Sequence, residues 1–295
     1  MCVKLDISLS IENKTFPKIC LTFDAEEWSL PGEYNLKTIY NQNTEFSKIG
    51  CIKLCNLLKQ YKIKATFFVT GYFAEKEPEV VKMLFAEGHE IASHAYTNNK
   101  LTQYNKTQLK SIICKTTEIL SELVPESIKG FRAPMCCINN DIIDVLYALG
   151  FEYDSSLHPT IIPGRYCRVQ YPSTPHFLRN EGFLKNENRP KILEIPISVI
   201  PLIRFPISWW WMRNMGNWIT RFGTDINLRN SNNVVLYFHP WEYVSLPKIK
   251  GLPGHLTRKC GANFLIKLEN FINIYINRYE FSCLRELSKG YLLDV

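Results

Sequence analysis

A chain of 295 residues, 46% hydrophobic and 13% aromatic, can bury a large core, and a single β/α domain of this length is ordinary. Its 35 Lys and Arg against 28 Asp and Glu give a net charge of +7, spread along the chain, which suits an anionic glycan or a membrane surface but carries no nucleic-acid signature. The opening MCVKLDISLSIENK lacks the charged and apolar blocks of a secretory leader, and Ile192 to Met212 is broken by Glu194, Arg204 and three prolines, which excludes a membrane span there.

The first informative stretch is Lys18 to Trp28, KICLTFDAEEW, where an apolar run ends in Asp24, Glu26 and Glu27. Such a run reads as a strand buried on both faces, delivering acids at its C-terminal end. Asp24 and Glu26 alternate with Ala25, so both leave one face of an extended segment while Glu27 points away. Two acids on one face can divide labour, one holding a divalent metal and the other acting as base. A polar, turn-rich loop follows, then a helix around Ser47 to Tyr61. Cys51 and Cys55 share an apolar face of that helix, and the ten cysteines read as reduced thiols, since no CxxC pair is present.

The pattern then repeats. Lys64 to Thr70 (KATFFVT) is a second strand, and a helix after Pro78 ends at Gly88. HEIASH is a third strand ending in His94, with His89 before it as a structural histidine. Thr107 to Leu123 is helical by period, GFRAP at 130 to 134 is a fourth strand end, and Asp141 to Leu149 is a helix stopped by Gly150. FEYDSS is the fifth strand, Leu157 to Arg189 reads as loop, ILEIPIS is the sixth strand, and VVLYFHP the seventh after a WWW helix region. A last helix spans Phe264 to Tyr279. Seven strands alternating with helices predict a distorted (β/α)7-type barrel in one domain over 1–295, its core motifs between 18 and 245. Polar residues recur at the strand ends: Asp24 and Glu26, His94, Arg132, Asp154, Glu194 and His239. On barrel closure they meet at one mouth.

These residues resemble the polysaccharide deacetylases of the NodB-homology type, also called carbohydrate esterase family four. The likeness rests on TFDAEEW at 22–28, GHEIASHAYTN at 88–98, GFRAP at 130–134, LEIPIS at 193–198 and LYFHPWE at 236–242, occurring in that order. It implies Asp24 as catalytic base, Glu26 and His94 as metal ligands, Arg132 as the group that holds the base and lowers its pKa, and His239 as catalytic acid. Glu194 is the candidate for fixing the His239 tautomer and raising its pKa. It also implies a divalent metal, Zn2+ by preference, and an N-acetylated carbohydrate substrate in glycan, peptidoglycan or lipopolysaccharide assembly. The setting expected is cytoplasmic or peripheral to the inner face of the membrane.

One departure stands out. The family pattern is HxxxH, whereas His94 is followed at the fourth position by Asn98, an amide and a weaker zinc ligand than imidazole. Asn98 ligates weakly or through water, His158 or Cys136 substitutes for it, or the site is metal-poor. Two other functions use the same residues: hydrolysis of a small cyclic amide, and silent carbohydrate binding in the barrel mouth. For substrate contact the candidates are Trp241, which is placed to stack on a sugar ring, Pro134 and Tyr237. The Trp209 to Trp211 triplet reads instead as core or interface.

Overall fold

A computed structural model describes residues 6–7, 16–162, 166–167, 170–179 and 192–292. Every expected strand forms: β1 (Ile19–Ala25), β2 (Thr66–Val69), β3 (Glu90–Ser93), β4 (Gly130–Phe131), β5 (Tyr153–Asp154), β6 (Ile192–Glu194) and β7 (Val234–Phe238). All seven run parallel, in the spatial order β7-β1-β2-β3-β4-β5-β6, so each strand lies beside its neighbour in sequence and the seventh returns to the first. This is the curled α/β sheet of a distorted barrel.

The ring does not close by a β6–β7 ladder. Past the end of β6, the Ser198 amide donates to the Val235 carbonyl at 3.0 Å and the Val235 amide donates to the Ser198 hydroxyl at 2.9 Å, joining the two edges at one point. The other side of β6 is covered by an antiparallel strand, His176–Arg179, which pairs in turn with Asp6–Ile7. That strand, and a small hairpin pairing Ile161–Ile162 with Tyr166–Cys167, lie where the sequence reads as loop between Leu157 and Arg189. No local period announces them, because the open edge of β6 supplies the pairing. The rest of that expected loop, 180–191, falls outside the described residues.

Period-two alternation on β1 sorts its side chains. Ile19, Leu21, Phe23 and Ala25 face the surrounding helices, where they pack with residues such as Leu54, Leu58 and Ile113. Cys20 faces the barrel interior with Phe68, Ala92, Tyr153, Leu193 and Val235, and Leu284, Leu287 and Tyr291 join this cluster from the last helix, Leu284–Leu292. The Leu284 amide donates to Thr66 at the start of β2 and the Arg285 amide to Glu90 at the start of β3, so this helix plugs the N-terminal end of the barrel. Only the C-terminal end is left for chemistry. The helices form at Glu45–Gln60, Pro78–Ala86, Lys106–Leu123, Asn140–Ala148, Trp210–Met215, Asn217–Arg229 and Ala262–Tyr275, within a few residues of the expected limits where one was expected. Gly50 lets the first of these approach the turn after β7, since a Cβ there would fall 1.9 Å from the Pro240 carbonyl oxygen. Cys51 and Cys55 are buried on that helix, and none of the eight cysteines whose side chains are described forms a disulfide.

His89 is structural. Its Nδ1 accepts from the Ala65 amide at 3.3 Å and its ring packs on Phe67, so the buried ring must stay neutral to bridge the entries to β2 and β3. Burial, reinforced by Lys64, pulls its pKa from 6.5 to about 4. With the folded value below the unfolded one, protons favour the unfolded chain as pH falls from 6.5, and the loss levels off near 4. About 3 kcal/mol of stability should disappear across that window. Urea unfolding of wild type and His89→Asn at pH 7 and pH 4 checks this, the variant being expected to lose correspondingly less on acidification.

Candidate active site

At the C-terminal ends of the strands lies a cleft of about 350 Å³, open on one side, lined by residues that include Asp24, Glu26, His94, Asn98, Tyr237 and His239. Seven of the ten expected site residues, Asp24, Glu26, His94, Asn98, Tyr237, His239 and Trp241, line it. Arg132 lies beneath the cleft, fully buried, with its Nη1 donating to Asp24 Oδ1 and to Thr22 Oγ1, both at 2.9 Å. Its Nε donates to the Ser155 carbonyl at 2.9 Å and its Nη2 to the Ser155 hydroxyl at 3.0 Å, while the guanidinium lies 4.1 Å from the centre of the Phe68 ring. This fork ties β1 to β4 and β5 and leaves Asp24 with one oxygen, Oδ2, turned towards His94.

His94 Nδ1 sits 2.8 Å from the Arg132 carbonyl oxygen, an acceptor, so this nitrogen carries a proton. Nε2 then faces Asp24 Oδ2 at 3.6 Å and Glu26 Oε2 at 3.4 Å. Burial opposes charge on His94, but the two carboxylates and the Arg132 carbonyl outweigh it and raise its pKa. The spot between these atoms therefore favours a positive charge, whether a proton or a metal ion. Asn98 supplies the next wall. Its backbone amide donates to Glu27 Oε1 at 2.8 Å, and Thr70 donates to the other oxygen of Glu27 at 3.1 Å. Burial pushes Glu27 up to about 7, partly offset by the Asn98 hydrogen bond and reinforced by Glu26. The Asn98 side-chain amide donates through Nδ2 to Ser29 Oγ at 2.9 Å, and Ser29 donates its own proton to Glu33 at 3.1 Å. That order fixes the amide's orientation: Oδ1 is the free end, buried and without a hydrogen-bond partner.

These residues fit a divalent cation in part. Among the described residues no group of three or more His, Cys, Asp or Glu closes into a metal cage. Asp24 is committed to Arg132 through Oδ1, which leaves Glu26 and His94 as ligands of the usual kinds. The third donor is the orphaned Asn98 Oδ1, an acceptor that a cation would satisfy. Neither His158 nor Cys136, the expected substitutes, lines the cleft; Cys136 packs with Ile197 and Tyr237 behind it.

Three expectations need correction. Glu194 does not hold His239. It accepts from the Leu157 amide at 2.9 Å and lies beside Asp154 across the β5–β6 register, where burial raises the pKa of both carboxyls. The carboxylate at His239 is Glu242, three residues on, which accepts from the His239 amide at 2.9 Å and faces its Nδ1 at 3.4 Å. Glu242 is fully buried and paired with the equally buried Arg213, whose Nη2 donates to the Leu256 carbonyl at 2.6 Å. Trp241 is no open sugar platform either: it is 2% exposed, stacks on the His239 ring at 4.7 Å and points Nε1 at Glu26 Oε1. Pro134 is buried, and Met135 takes its place on the cleft wall. Tyr237 does line the cleft, its hydroxyl 2.7 Å from His239 Nε2.

Sequence reading missed Trp209. This half-buried ring lines the cleft and meets the His239 ring edge-on at 5.1 Å. Its backbone, at φ 51° and ψ −120°, occupies a region that suits glycine, and Ala95, Met135 and Cys136 around the same mouth also have positive φ. Non-glycine residues in such conformations cost of order 1–3 kcal/mol each and concentrate at functional sites.

Residues 12–153 match the family model for polysaccharide deacetylase, and residues 155–289 match a domain of unknown function, DUF3473. Over residues 12–153, just under half of its length, this chain is thus similar to the polysaccharide deacetylase family. The boundary between the two matches is not a structural one, because β7 pairs with β1 and His239 enters the same cleft as Asp24. The chain is 30% identical over 165 residues to the peptidoglycan deacetylase of Helicobacter pylori, covering 55% of this chain and 54% of that one. It thus spans about half the length of that curated relative. Two solved structures share the fold: a candidate polysaccharide deacetylase from Mycobacterium smegmatis, with a TM-score of 0.69 and 19% identity over 97% of this chain and 94% of the other, and Puue allantoinase, at 0.64 and 16% over 93% and 89%.

The two carboxylates considered for His239 separate experimentally. Glu242→Gln leaves Arg213 buried without its counter-charge and should cost roughly 3–5 kcal/mol. Glu194→Gln mimics a carboxyl that already holds a proton and should cost about 1 kcal/mol or less. Chemical denaturation of both variants reads the difference.

Proposed function

We propose that the chain is a metal-dependent hydrolase that removes N-acetyl groups from the sugars of a glycan of the peptidoglycan or chitooligosaccharide type. The observation that carries this reading is the meeting of Asp24, Glu26, His94, Asn98 and His239 in one cleft, drawn from both halves of a single barrel. Glu26, His94 and Asn98 would hold a divalent ion, which when bound would supply the acidity that makes water a nucleophile at neutral pH. Asp24 takes the water's proton through Oδ2, while Arg132 holds Oδ1 and keeps the carboxylate aimed. His239, held by Glu242 and stacked on Trp241, delivers a proton from Nε2 to the departing nitrogen, so that acetate and a free amine leave. Tyr237 sits within hydrogen-bond reach of that same nitrogen and orients it. Trp209 and Met135 are the side chains placed to contact the sugar. We further propose that the two halves act as one domain and that the protein works in the cytoplasm, at most peripheral to the membrane; no helix among the described residues is long and apolar enough to cross one.

Asp24→Asn keeps the shape of the base and cannot accept a proton. Turnover of N-acetylated oligosaccharides should vanish with fold and metal content intact, and activity within about tenfold of wild type, a loss of only about 1.4 kcal/mol, would remove Asp24 as base. Acetate release from N-acetylated sugars, with small cyclic amides as a second substrate panel, separates deacetylase from cyclic-amide hydrolase. No turnover of either by metal-loaded protein would leave carbohydrate binding alone.

Asn98 offers an independent test of the metal site. Asn98→His places an imidazole where the amide stands and should tighten zinc binding by roughly one to two orders of magnitude in calorimetry. Asn98→Ala should weaken it. Equal affinities in all three proteins would show that position 98 does not face the ion.

A further inference from the structure

The surplus of positive charge, expected to be spread along the chain, is instead concentrated in one stretch. Between Val199 and Cys260 the chain carries eight Lys and Arg against two acidic residues, Asp225 and Glu242, a balance of +6 in a chain of +7. The same stretch holds five of the large apolar side chains that are exposed among the described residues: Leu202 at 96%, Ile203 at 67%, Trp218 at 59%, Phe222 at 53% and Met215 at 41%. The others, such as Phe16, Ile39 and Tyr147, are scattered. Isolated exposed apolar residues need no explanation, but a concentration rimmed by charge does.

Two elements build this face. Leu202 and Ile203 form the tip of a hairpin whose strands are Val199–Ile200 and Phe205–Pro206, and Leu202 and Arg204 both hold the left-handed conformation there. A chain that strains its backbone to present leucine to water is spending stability on that tip. The hairpin lies across the helix Asn217–Arg229: Asn227 donates to the Val199 carbonyl at 2.9 Å, and a Cβ on Gly223 would touch Ile200 at 3.1 Å. Thr220, Gly223, Thr224 and Asn227 are buried by this packing, which turns Trp218 and Phe222, four residues apart, outwards together with Arg221 and Arg229. Arg258 and Lys259 donate to Asn214, and Lys267 to the Arg213 carbonyl, so three more cations surround the end of the helix Trp210–Met215. Partial burial and the neighbouring charges of Lys259 and Arg213 lower the pKa of Lys267. Glu269 and Asp225 are the acids nearest in sequence, and they accept from Tyr61 and Tyr275.

We infer that this face docks on an anionic phospholipid bilayer, the hairpin tip and the Met215–Trp218–Phe222 stripe entering the interface while the surrounding Arg and Lys meet the headgroups. Aromatic and aliphatic side chains ringed by cations are what an interfacial segment requires. A second copy of the chain is a poorer partner, since two such faces would bring like charges together. The helix Trp210–Met215 starts beside Trp209 on the cleft wall, so docking would hold the cleft mouth near the headgroups. The inference stands on the surface alone and does not depend on which reaction the cleft performs.

The test is co-sedimentation of the full chain with phosphatidylcholine vesicles, with and without phosphatidylglycerol, alongside analytical ultracentrifugation of the protein alone. Partition should favour the anionic vesicles by about tenfold or more, fall as salt rises, and shift Trp fluorescence to the blue. Leu202→Ser with Ile203→Ser, and separately Arg221→Glu with Arg229→Glu, should each lose about tenfold in partition. These positions are exposed, and an unchanged thermal unfolding curve would confirm that each fold is intact. Equal partition into both vesicle types, or a dimer that the hairpin-tip substitutions dissolve while vesicle binding is absent, would overturn the inference.

Discussion

The buried guanidinium of Arg132 is the interaction on which the cleft depends. A charge without solvent must be matched on every side, and here Asp24, Thr22 and two atoms of Ser155 take its hydrogen bonds while Phe68 covers its face. Because those partners sit on β1, on β2 and just past the end of β5, while Arg132 itself follows β4, satisfying the charge also sets the spacing of the strand ends. The same residue's carbonyl fixes the His94 tautomer, so one position orients both Asp24 and His94.

Across the cleft a second buried pair does comparable work. Arg213 and Glu242 have no exposed surface, and Glu242 is also the group that holds the His239 backbone and ring. The pair links the helix after the Trp triplet to the turn after β7, with Gly50 allowing the first long helix to press against that turn. Asp24 and His239 are therefore held by separate cation–carboxylate clamps, one mainly in each half of the chain. Between them Trp241 lies against His239 and Glu26, filling the space that separates the two with a rigid ring.

Four of the left-handed residues fall where these supports meet open space. Ala95 follows His94, Met135 and Cys136 follow the Arg132 strand end, and Trp209 precedes the Arg213 helix. Each lies where a strand end or loop turns a side chain towards the cleft. The packed barrel and the ion pairs behind it stabilise what the local backbone would not adopt alone.

The sequence by itself determined the strands and the chemistry at their ends. Apolar runs ending in Asp24, His94, Arg132 and His239 mark buried parallel strands, and period-two geometry puts Asp24 and Glu26 on one face, because both follow from a few adjacent residues. The His-to-Asn change at 98 is equally plain in the sequence. Only the tertiary structure decided that Asn98 lines the cleft with its oxygen left as the unpartnered end, since Ser29 and Glu33 set the amide's orientation from another segment. It also decided that Glu242 rather than Glu194 serves His239: both are acids near strand ends, and the Arg213 charge that draws in one and the Asp154 carboxyl that neutralises the other come from distant parts of the chain. Trp209 was hidden for a related reason. A run of three tryptophans shows no period, and which ring reaches the cleft is set by a backbone conformation that side-chain pattern does not encode.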